Sequence, residues 1–193
     1  MNLYERSLNY LFNHFGKAMP DSVLLRVRYR TVFHEPLHLK NPKTFNEKIQ
    51  WLKLYDRNPE YHAMADKYAV RTYIGRVLGE KYLIPLLGVW QKAEDIDFKS
   101  LPDQFVLKCT HDSQSIVICH DKAKLDKEEA IRRLGEALKI DYSVLGREWA
   151  YHGTKPYIVA EEFLTDESRD DLKDYKIFCF NGEPKFIQID YDR

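Results

Sequence analysis

The stretch FVLKCTHDSQSIVIC, residues 105–119, decides the fold because it predicts two strands joined by a short polar loop. Apolar and β-branched residues dominate both arms, at 105–109 and 115–119, as expected of strands in a core. Alternation places Val106, Lys108 and Thr110 together on one face of the first strand. A cation therefore lies within a largely apolar hairpin, and its role has to be explained.

The segments around this hairpin predict more sheet and one helix. Residues 126–140 show an amphipathic helical pattern, and residues 156–164 are predicted to form a strand. Asn181-Gly182 joins two further apolar runs, which is a strong hairpin signal. Residues 82–90 contain a proline and a glycine, which favour an edge strand or a loop over a helix.

The first part of the chain predicts helices. Residues 7–15 and 20–33 have apolar residues at helical spacing, and the second of these segments begins with a proline. Thr44-x-x-Glu47 is a capping-box pattern, and one further helix is predicted over residues 61–79. A helical N-terminal region followed by an antiparallel sheet with helices defines the fold class as α+β.

The composition describes a globular chain without a global charge bias. Its 193 residues include 30 Lys plus Arg and 30 Asp plus Glu, so no net charge draws it to nucleic acid. No apolar run approaches the ~20 residues that span a bilayer, and the first residues do not resemble a signal peptide. Three cysteines form a sparse, odd set, typical of a reducing compartment. We expect a cytoplasmic protein, free or peripheral at the inner face of the membrane, with no transmembrane segment and no nucleic-acid partner.

Two interpretations of Lys108 are open at this point. An amine in apolar surroundings can pair with a carboxylate or reach solvent along its aliphatic stem. It can also bind a phosphate, with the backbone N–H groups of residues 110–115 and the hydroxyls of Ser113 and Ser115 around the same anion. A point charge beside a loop of donors is what a nucleotide polyphosphate requires.

Two later strands carry further candidate residues. Glu161 and Glu162 are adjacent in a strand and face opposite ways, so one can bind a ribose while the other faces water. Both are equally consistent with a solvated strand end. Lys176 lies among apolar neighbours and is either an edge lysine or a second cation that meets Lys108 across a cleft.

Spacing and context disfavour cysteine chemistry. Cys109, His111, Cys119 and His120 lie in the hairpin, but neither Cys/His pair has the spacing of a zinc finger. Cys119 and His120 are adjacent and point to opposite faces. Both cysteines lie in apolar runs, which is typical of core residues rather than of nucleophiles. We therefore expect no metal site and no cysteine nucleophile here.

Four separated segments carry a family resemblance: NPKTFNEKIQWLKLYDRNPEYHAMADKYAVRTYI, FVLKCTHDSQSIVICHDK, YIVAEEFL and DYKIFCFNGEPKFIQIDYDR. In this order they resemble the ATP-grasp proteins of the teichuronopeptide-biosynthesis (TupA-like) type, which occur in bacterial surface-polysaccharide gene clusters. The resemblance covers nearly the whole chain. It implies an N-terminal helical region at 1–84, a first ATP-grasp lobe at 85–156 and the start of a second lobe at 157–193, with ATP held between the lobes.

The resemblance also implies roles for individual residues. Lys108 would be the first-lobe lysine on the ATP phosphates, residues 111–115 the loop that covers them, and Lys176 the catalytic cation of the second lobe. Adenine and ribose would bind at the strand that ends with residues 161–164. The residues thereby assigned to the nucleotide are Lys108, His111, Asp112, Ser113, Gln114, Ser115, Glu161, Glu162, Phe163 and Leu164.

Two departures from the family pattern have consequences. The family loop usually has glycine where this chain has Gln114, and often at Asp112 too, so the loop loses backbone freedom and gains negative charge. We expect a weakened or altered nucleotide loop. The family's Mg²⁺ ligands lie on late strands of the second lobe, beyond Arg193. We therefore expect this chain to be a truncated product whose intact relative is the enzyme.

The resemblance implies an ATP- and Mg²⁺-dependent ligase of cell-surface polysaccharide biosynthesis. It would join a carboxylate to an amine through an acyl phosphate, with an amino acid or a glycan, free or lipid-linked, as acceptor. Two alternatives stay open. A glycosyltransferase of the same pathway would use Asp-x-Asp at 190–192 as its metal motif, and an inactive remnant would serve as an interaction module.

Overall fold

A computed structural model describes residues 18–112, 114–165 and 173–190 of the protein. The predicted helix at 7–15 lies outside these residues. The described chain begins with helices, namely α1 (Asp21–Phe33), α2 (Phe45–Tyr55), α3 (Glu60–Ala65) and α4 (Val70–Val77). A small apolar cluster joins α1 to the segment that follows it, and it consists of Leu25, Tyr29, Leu37 and Leu39.

The predicted starts of α1 and α2 are confirmed. Pro20 is the N-cap residue of α1. At α2 the Thr44 hydroxyl accepts a hydrogen bond from the Glu47 backbone N–H at 3.2 Å, and the Glu47 carboxylate accepts one from the Thr44 N–H at 3.0 Å. The same carboxylate accepts from the backbone N–H groups of His38 and Lys43, so it ties α2 to the segment before it.

The central sheet has four antiparallel strands in the order β1–β4–β2–β3. The predicted hairpin at 105–119 is confirmed as its β2–β3 pair. β1 is an edge strand, one of the two forms expected for residues 82–90. In this sheet Val106 lies between Ile118 on one side and Glu161 on the other. The strands are β1 (Leu86–Trp90), β2 (Phe105–Cys109), β3 (Ile116–Cys119) and β4 (Ile158–Glu162).

The main core lies between this sheet and α5 (Lys127–Ala137), which is followed by the short helix α6 (Tyr142–Gly146). Phe105, Leu107 and Cys109 of β2 are completely buried, as their alternation predicts. Leu134 of α5 packs against the same face. Full burial of one such Phe or Leu side chain contributes about 1.5–3 kcal/mol, so this face of β2 anchors the sheet to α5.

The break between α3 and α4 contradicts the sequence-based expectation of one helix over residues 61–79. The Asp66 carboxylate accepts hydrogen bonds from two backbone N–H groups just after it, both at 2.8 Å, and thereby starts a new helix. The Lys67 backbone N–H donates to the Thr110 carbonyl oxygen, at the end of β2. A tertiary contact therefore interrupts a segment whose local pattern favours a continuous helix.

β5 (Asp174–Phe180) and β6 (Glu183–Asp190) form a two-stranded sheet of their own, as the Asn181-Gly182 signal predicts. Both turn residues have positive φ, 52° at Asn181 and 81° at Gly182, as this tight turn requires. Within the described chain, none of the hairpin residues belongs to the core under the first sheet. Its large apolar side chains are exposed: Tyr175, Ile177, Phe178, Phe180, Phe186, Ile187 and Ile189.

These elements confirm the α+β class, with a helical N-terminal region and an antiparallel sheet backed by helices. The predicted boundary at residue 157 assigns β4 to the second lobe, although β4 pairs with β1 and β2 in the first sheet. The division into lobes stays a prediction. No helix of the described ranges is both long enough and apolar enough to cross a membrane.

Candidate functional site

Lys108 of β2 and Glu161 of β4 form an ion pair on one face of the sheet. The register places Val106 opposite Glu161 and Lys108 opposite Val159, so the two charged side chains are diagonal neighbours. The Glu161 side chain is 6% exposed and that of Lys108 is 20% exposed. Lys108 therefore has the carboxylate partner that one of its two interpretations requires, and part of its side chain stays exposed.

Arg71 brings a second cation to the same carboxylate. Its guanidinium extends from α4, lies 3.3 Å from Glu161 Oε1 and donates to the Ile84 carbonyl oxygen at 2.6 Å. Two positive charges therefore face one carboxylate, which leaves an excess of positive charge in a largely buried place. Such an excess favours an anion nearby.

Lys67 is a third cation in this region. Its ammonium donates to the carbonyl oxygens of Cys109, at 2.9 Å, and of Asp112. Burial lowers the pKa of Lys67; the Asp112 carboxylate opposes this effect, and the nearby Lys108 ammonium adds to it. Lys67, Arg71 and Lys108 are called the cation cluster below. An anion between the two ammonium groups would offset their repulsion.

Sequence reasoning missed Lys67 and Arg71, although both lie in one of the segments that carry the family resemblance. Lys67 contacts a residue 42 positions away, and Arg71 contacts one 90 positions away. The available signal was two cations spaced one helical turn apart in DKYAVR. That spacing is common on solvated helix faces, so it does not by itself indicate a site.

The loop after β2 turns its first side chains inward. His111 and Asp112 are only 4% and 5% exposed. The Asp112 carboxylate accepts hydrogen bonds from the backbone N–H of Ser115, at 3.2 Å, and from its hydroxyl. Gln114 is exposed, and Ser113 lies outside the described residues. A phosphate over this loop would therefore meet backbone N–H groups and Gln114 rather than the side chains of His111 and Asp112.

The strand end at 161–164 alternates as predicted. Glu161 is buried and faces the cation cluster, whereas Glu162 is exposed. The Phe163 ring contacts the His120 ring edge-on, with centroids 4.9 Å apart, and Leu164 is 38% exposed. Of the two glutamates, Glu162 has the carboxylate that faces solvent.

Lys176 is paired within its own hairpin. Its ammonium contacts the Asp174 carboxylate and lies 2.6 Å from the Asp190 carboxylate, and these two hydrogen bonds raise the pKa of Lys176. Asp190 is the first acidic residue of the Asp-x-Asp pattern, and Asp192 lies outside the described residues. The meeting of Lys176 with Lys108 across a cleft stays a prediction.

The hairpin cysteines belong to the core, as predicted. Cys109 and Cys119 are buried, and neither is in a disulfide. Burial raises the pKa of the Cys109 thiol to about 12, and the Asp112 carboxylate acts in the same direction. Burial also raises the pKa of Cys119. A thiol with so high a pKa is protonated at neutral pH, which disfavours Cys109 as a nucleophile.

The cation cluster lies beside β2 and β4 of an α+β fold. A family model described as TupA-like ATPgrasp matches residues 47–193. Comparisons with curated proteins and with solved structures gave no match. The chain belongs to the TupA-like ATP-grasp family, and its α+β fold is accordingly ATP-grasp-like. Membership of this family indicates an ATP-binding, ligase-type function.

The family implies ATP and, typically, Mg²⁺. The described residues fit the phosphates of ATP better than they fit Mg²⁺. The cation cluster has the charge that a polyphosphate requires. The nearby carboxylates do not fit Mg²⁺ as they stand, because Glu161 faces two cations and Asp112 is held by Ser115. We therefore assign no magnesium ligand among these residues.

Proposed function

We propose that this protein uses the cation cluster to hold the phosphates of ATP in a reaction that joins a carboxylate to an amine. The observation that carries the proposal is the meeting of Lys108 and Arg71 at the single carboxylate of Glu161, with the Lys67 ammonium near that of Lys108. The two cations at Glu161 exceed its single negative charge, and a polyphosphate would balance the remaining positive charge. Family membership supports the same nucleotide.

The rest of the nucleotide is assigned from exposure and position. The exposed carboxylate of Glu162 would bind the ribose hydroxyls, while Phe163 and Leu164 offer apolar surface to the adenine. Backbone N–H groups of the loop at 111–115 would cover the phosphates. Glu161 would act indirectly, by holding Lys108 and Arg71 in place.

In the proposed reaction an oxygen atom of the substrate carboxylate forms a bond to the terminal phosphorus of ATP, and the bond from that phosphorus to ADP breaks. The amine then attacks the acyl carbon, the bond from that carbon to the phosphate oxygen breaks, and phosphate and a proton leave. Lys176 would stabilise the transferred phosphoryl group. We propose an amino acid or a surface glycan as acceptor and the cytoplasm as compartment, which suits three unpaired cysteines.

Calorimetry with a non-hydrolysable ATP analogue tests the nucleotide assignment on the full chain. We expect Lys108→Ala to weaken binding at least tenfold, which corresponds to about 1.4 kcal/mol. Lys185→Ala is the matched control, because Lys185 is exposed and pairs with Glu183 in β6. Equal affinities of the wild-type protein and Lys108→Ala would refute the assignment.

A trapping assay tests the reaction itself. Hydroxylamine converts an acyl phosphate to a hydroxamate, so incubation with ATP and candidate carboxylates should yield hydroxamate and ADP together. Turnover of a nucleotide sugar without ATP would favour a glycosyltransferase instead. Nucleotide binding without either turnover would favour the interaction module.

A further inference from the structure

We propose that Cys109, His111 and Asp112 form a zinc-binding site where β2 passes into the loop. One potential ligand atom from each residue lies within 4.8 Å of the other two, and all three residues are buried. In the sequence the Cys109–His111 pair lacks the spacing of a zinc finger, but the structure adds the Asp112 carboxylate to this pair. The site proposed here lies within four consecutive residues of one chain segment and uses a carboxylate in place of the second cysteine.

His111 supplies the independent observation. Its Nε2 lies 3.1 Å from the Ile140 carbonyl oxygen. A carbonyl oxygen can only accept, so Nε2 carries the ring proton and Nδ1 has the free lone pair. Nδ1 is buried and has no hydrogen-bond partner among the described residues. A ligating histidine normally donates its other N–H to a carboxylate, a backbone carbonyl or water, and here the acceptor is the Ile140 carbonyl oxygen.

The chemistry of the set suits zinc. A cysteine sulfur, an imidazole nitrogen and a carboxylate oxygen are its usual ligands in proteins. Tetrahedral bonds of about 2.0–2.3 Å would place ligand atoms roughly 3.3–3.8 Å apart, so side-chain rotations would close the present separations. On binding, the Cys109 S–H bond breaks and its proton passes to solvent.

The ligand charges suit a divalent ion. The Cys109 thiolate and the Asp112 carboxylate together carry two negative charges, while His111 stays neutral, and the Lys67 ammonium beside them adds one positive charge. The Lys67 ammonium contacts the carbonyl oxygens of Cys109 and Asp112, and the Ser115 hydroxyl donates to the Asp112 carboxylate. Lys67 and Ser115 thereby hold residues 109–112 in place and are not themselves proposed as ligands.

Three protein ligands leave the fourth tetrahedral position to a water molecule, and the proposed role of the ion is to hold the segment in place. All three ligands are buried, so a substrate has no open access to the metal. The ion would fix residues 109–112 to the core and leave the rest of the loop free to move. This proposal concerns the protein without bound nucleotide and does not depend on nucleotide binding.

Cobalt substitution tests the site without any nucleotide. The full chain is unfolded with a chelator present, then refolded with Co²⁺ alone, because a buried site has to be loaded during folding. We expect one Co²⁺ per chain, with a thiolate-to-cobalt charge-transfer band that Zn²⁺ abolishes. Cys109→Ser should lose the band, and His111→Gln and Asp112→Asn should each weaken Co²⁺ binding about tenfold or more.

Two matched controls come from the chain itself. Cys119→Ser removes the other buried cysteine, and Cys179→Ser removes the exposed one, and both variants should keep the band. Circular dichroism checks that each variant refolds. If Cys109→Ser does not refold, the Co²⁺ affinities of Asp112→Asn and His111→Gln test the proposal in its place. The proposal fails if the wild-type protein shows no charge-transfer band, if the band persists in Cys109→Ser, or if it disappears in either control. It also fails if neither His111→Gln nor Asp112→Asn weakens binding.

Discussion

The Arg71 guanidinium of α4 lies 3.3 Å from the Glu161 carboxylate of β4, although 90 residues separate the two in the chain. Glu161 also pairs with Lys108, so this contact joins the helical N-terminal region to the candidate site. Lys67 makes a second connection, from the break between α3 and α4 to the end of β2. The helical region therefore supplies two of the three cations and forms part of the site.

Arg71→Met should lower the free energy of unfolding by about 1–3 kcal/mol, because the Ile84 carbonyl oxygen loses its donor and the buried Glu161 carboxylate loses one of its two charged partners. The Arg71 and Glu161 side chains are 16% and 6% exposed. Arg132→Met is the control, because Arg132 pairs with Glu129 on the surface of α5 and should cost less than about 1 kcal/mol. Urea denaturation measures both, and equal losses would contradict the structural role of Arg71.

Glu47→Gln should destabilise the protein at neutral pH by an amount that shrinks as the pH falls. Hydrogen bonds from the backbone N–H groups of Thr44 and Lys43 lower the pKa of Glu47 from 4.5 to about 2. Because the folded-state pKa lies below the unfolded value, the stabilisation is complete above pH 4.5 and is lost as the pH falls toward 2. Denaturation midpoints at several pH values measure this. The exposed Glu128→Gln serves as control, and a pH-independent difference for Glu47→Gln would count against the capping box.

Gly88→Ala and Gly135→Ala should have opposite effects on stability. A β-carbon at position 88 would lie 2.2 Å from the Trp90 ring, which packs on the main core, so overpacking should cost about 1–3 kcal/mol. At position 135 in α5 the nearest atom, in Ala93, is 3.7 Å away, and alanine should stabilise the helix by about 0.5–1 kcal/mol. Thermal unfolding compares the pair, and a stabilising Gly88→Ala would show that Trp90 is free to move.

Lys67→Met should weaken binding of an ATP analogue about tenfold or more, because it removes one ammonium of the cation cluster. Lys53→Met is a matched control. The Lys53 ammonium also donates to a backbone carbonyl oxygen, that of Gly146, at 3.0 Å, but it lies outside the cluster. Both variants should lose some stability, whereas only Lys67→Met should lose nucleotide affinity in calorimetry. Equal affinities of the two variants would exclude Lys67 from the phosphate site.

Much of the fold follows from local patterns in the sequence. Strict alternation in β2 predicts that Phe105 and Leu107 are buried and that Lys108 faces the other way. The capping box at Thr44 and the turn at Asn181-Gly182 are likewise encoded within a few residues. These features depend on backbone geometry between near neighbours, which the residue types themselves specify.

The tertiary structure decided which residues meet. The placement of β4 beside β2 brings Glu161 to Lys108, and the break at Asp66 directs Lys67 toward the end of β2. The inward turn of His111 depends on the Ile140 carbonyl oxygen after α5, which no local pattern identifies. Periodicity in the sequence determines which way a side chain points from its own strand or helix. Which partner lies there depends on strand order and register, which are set by the packing of distant segments.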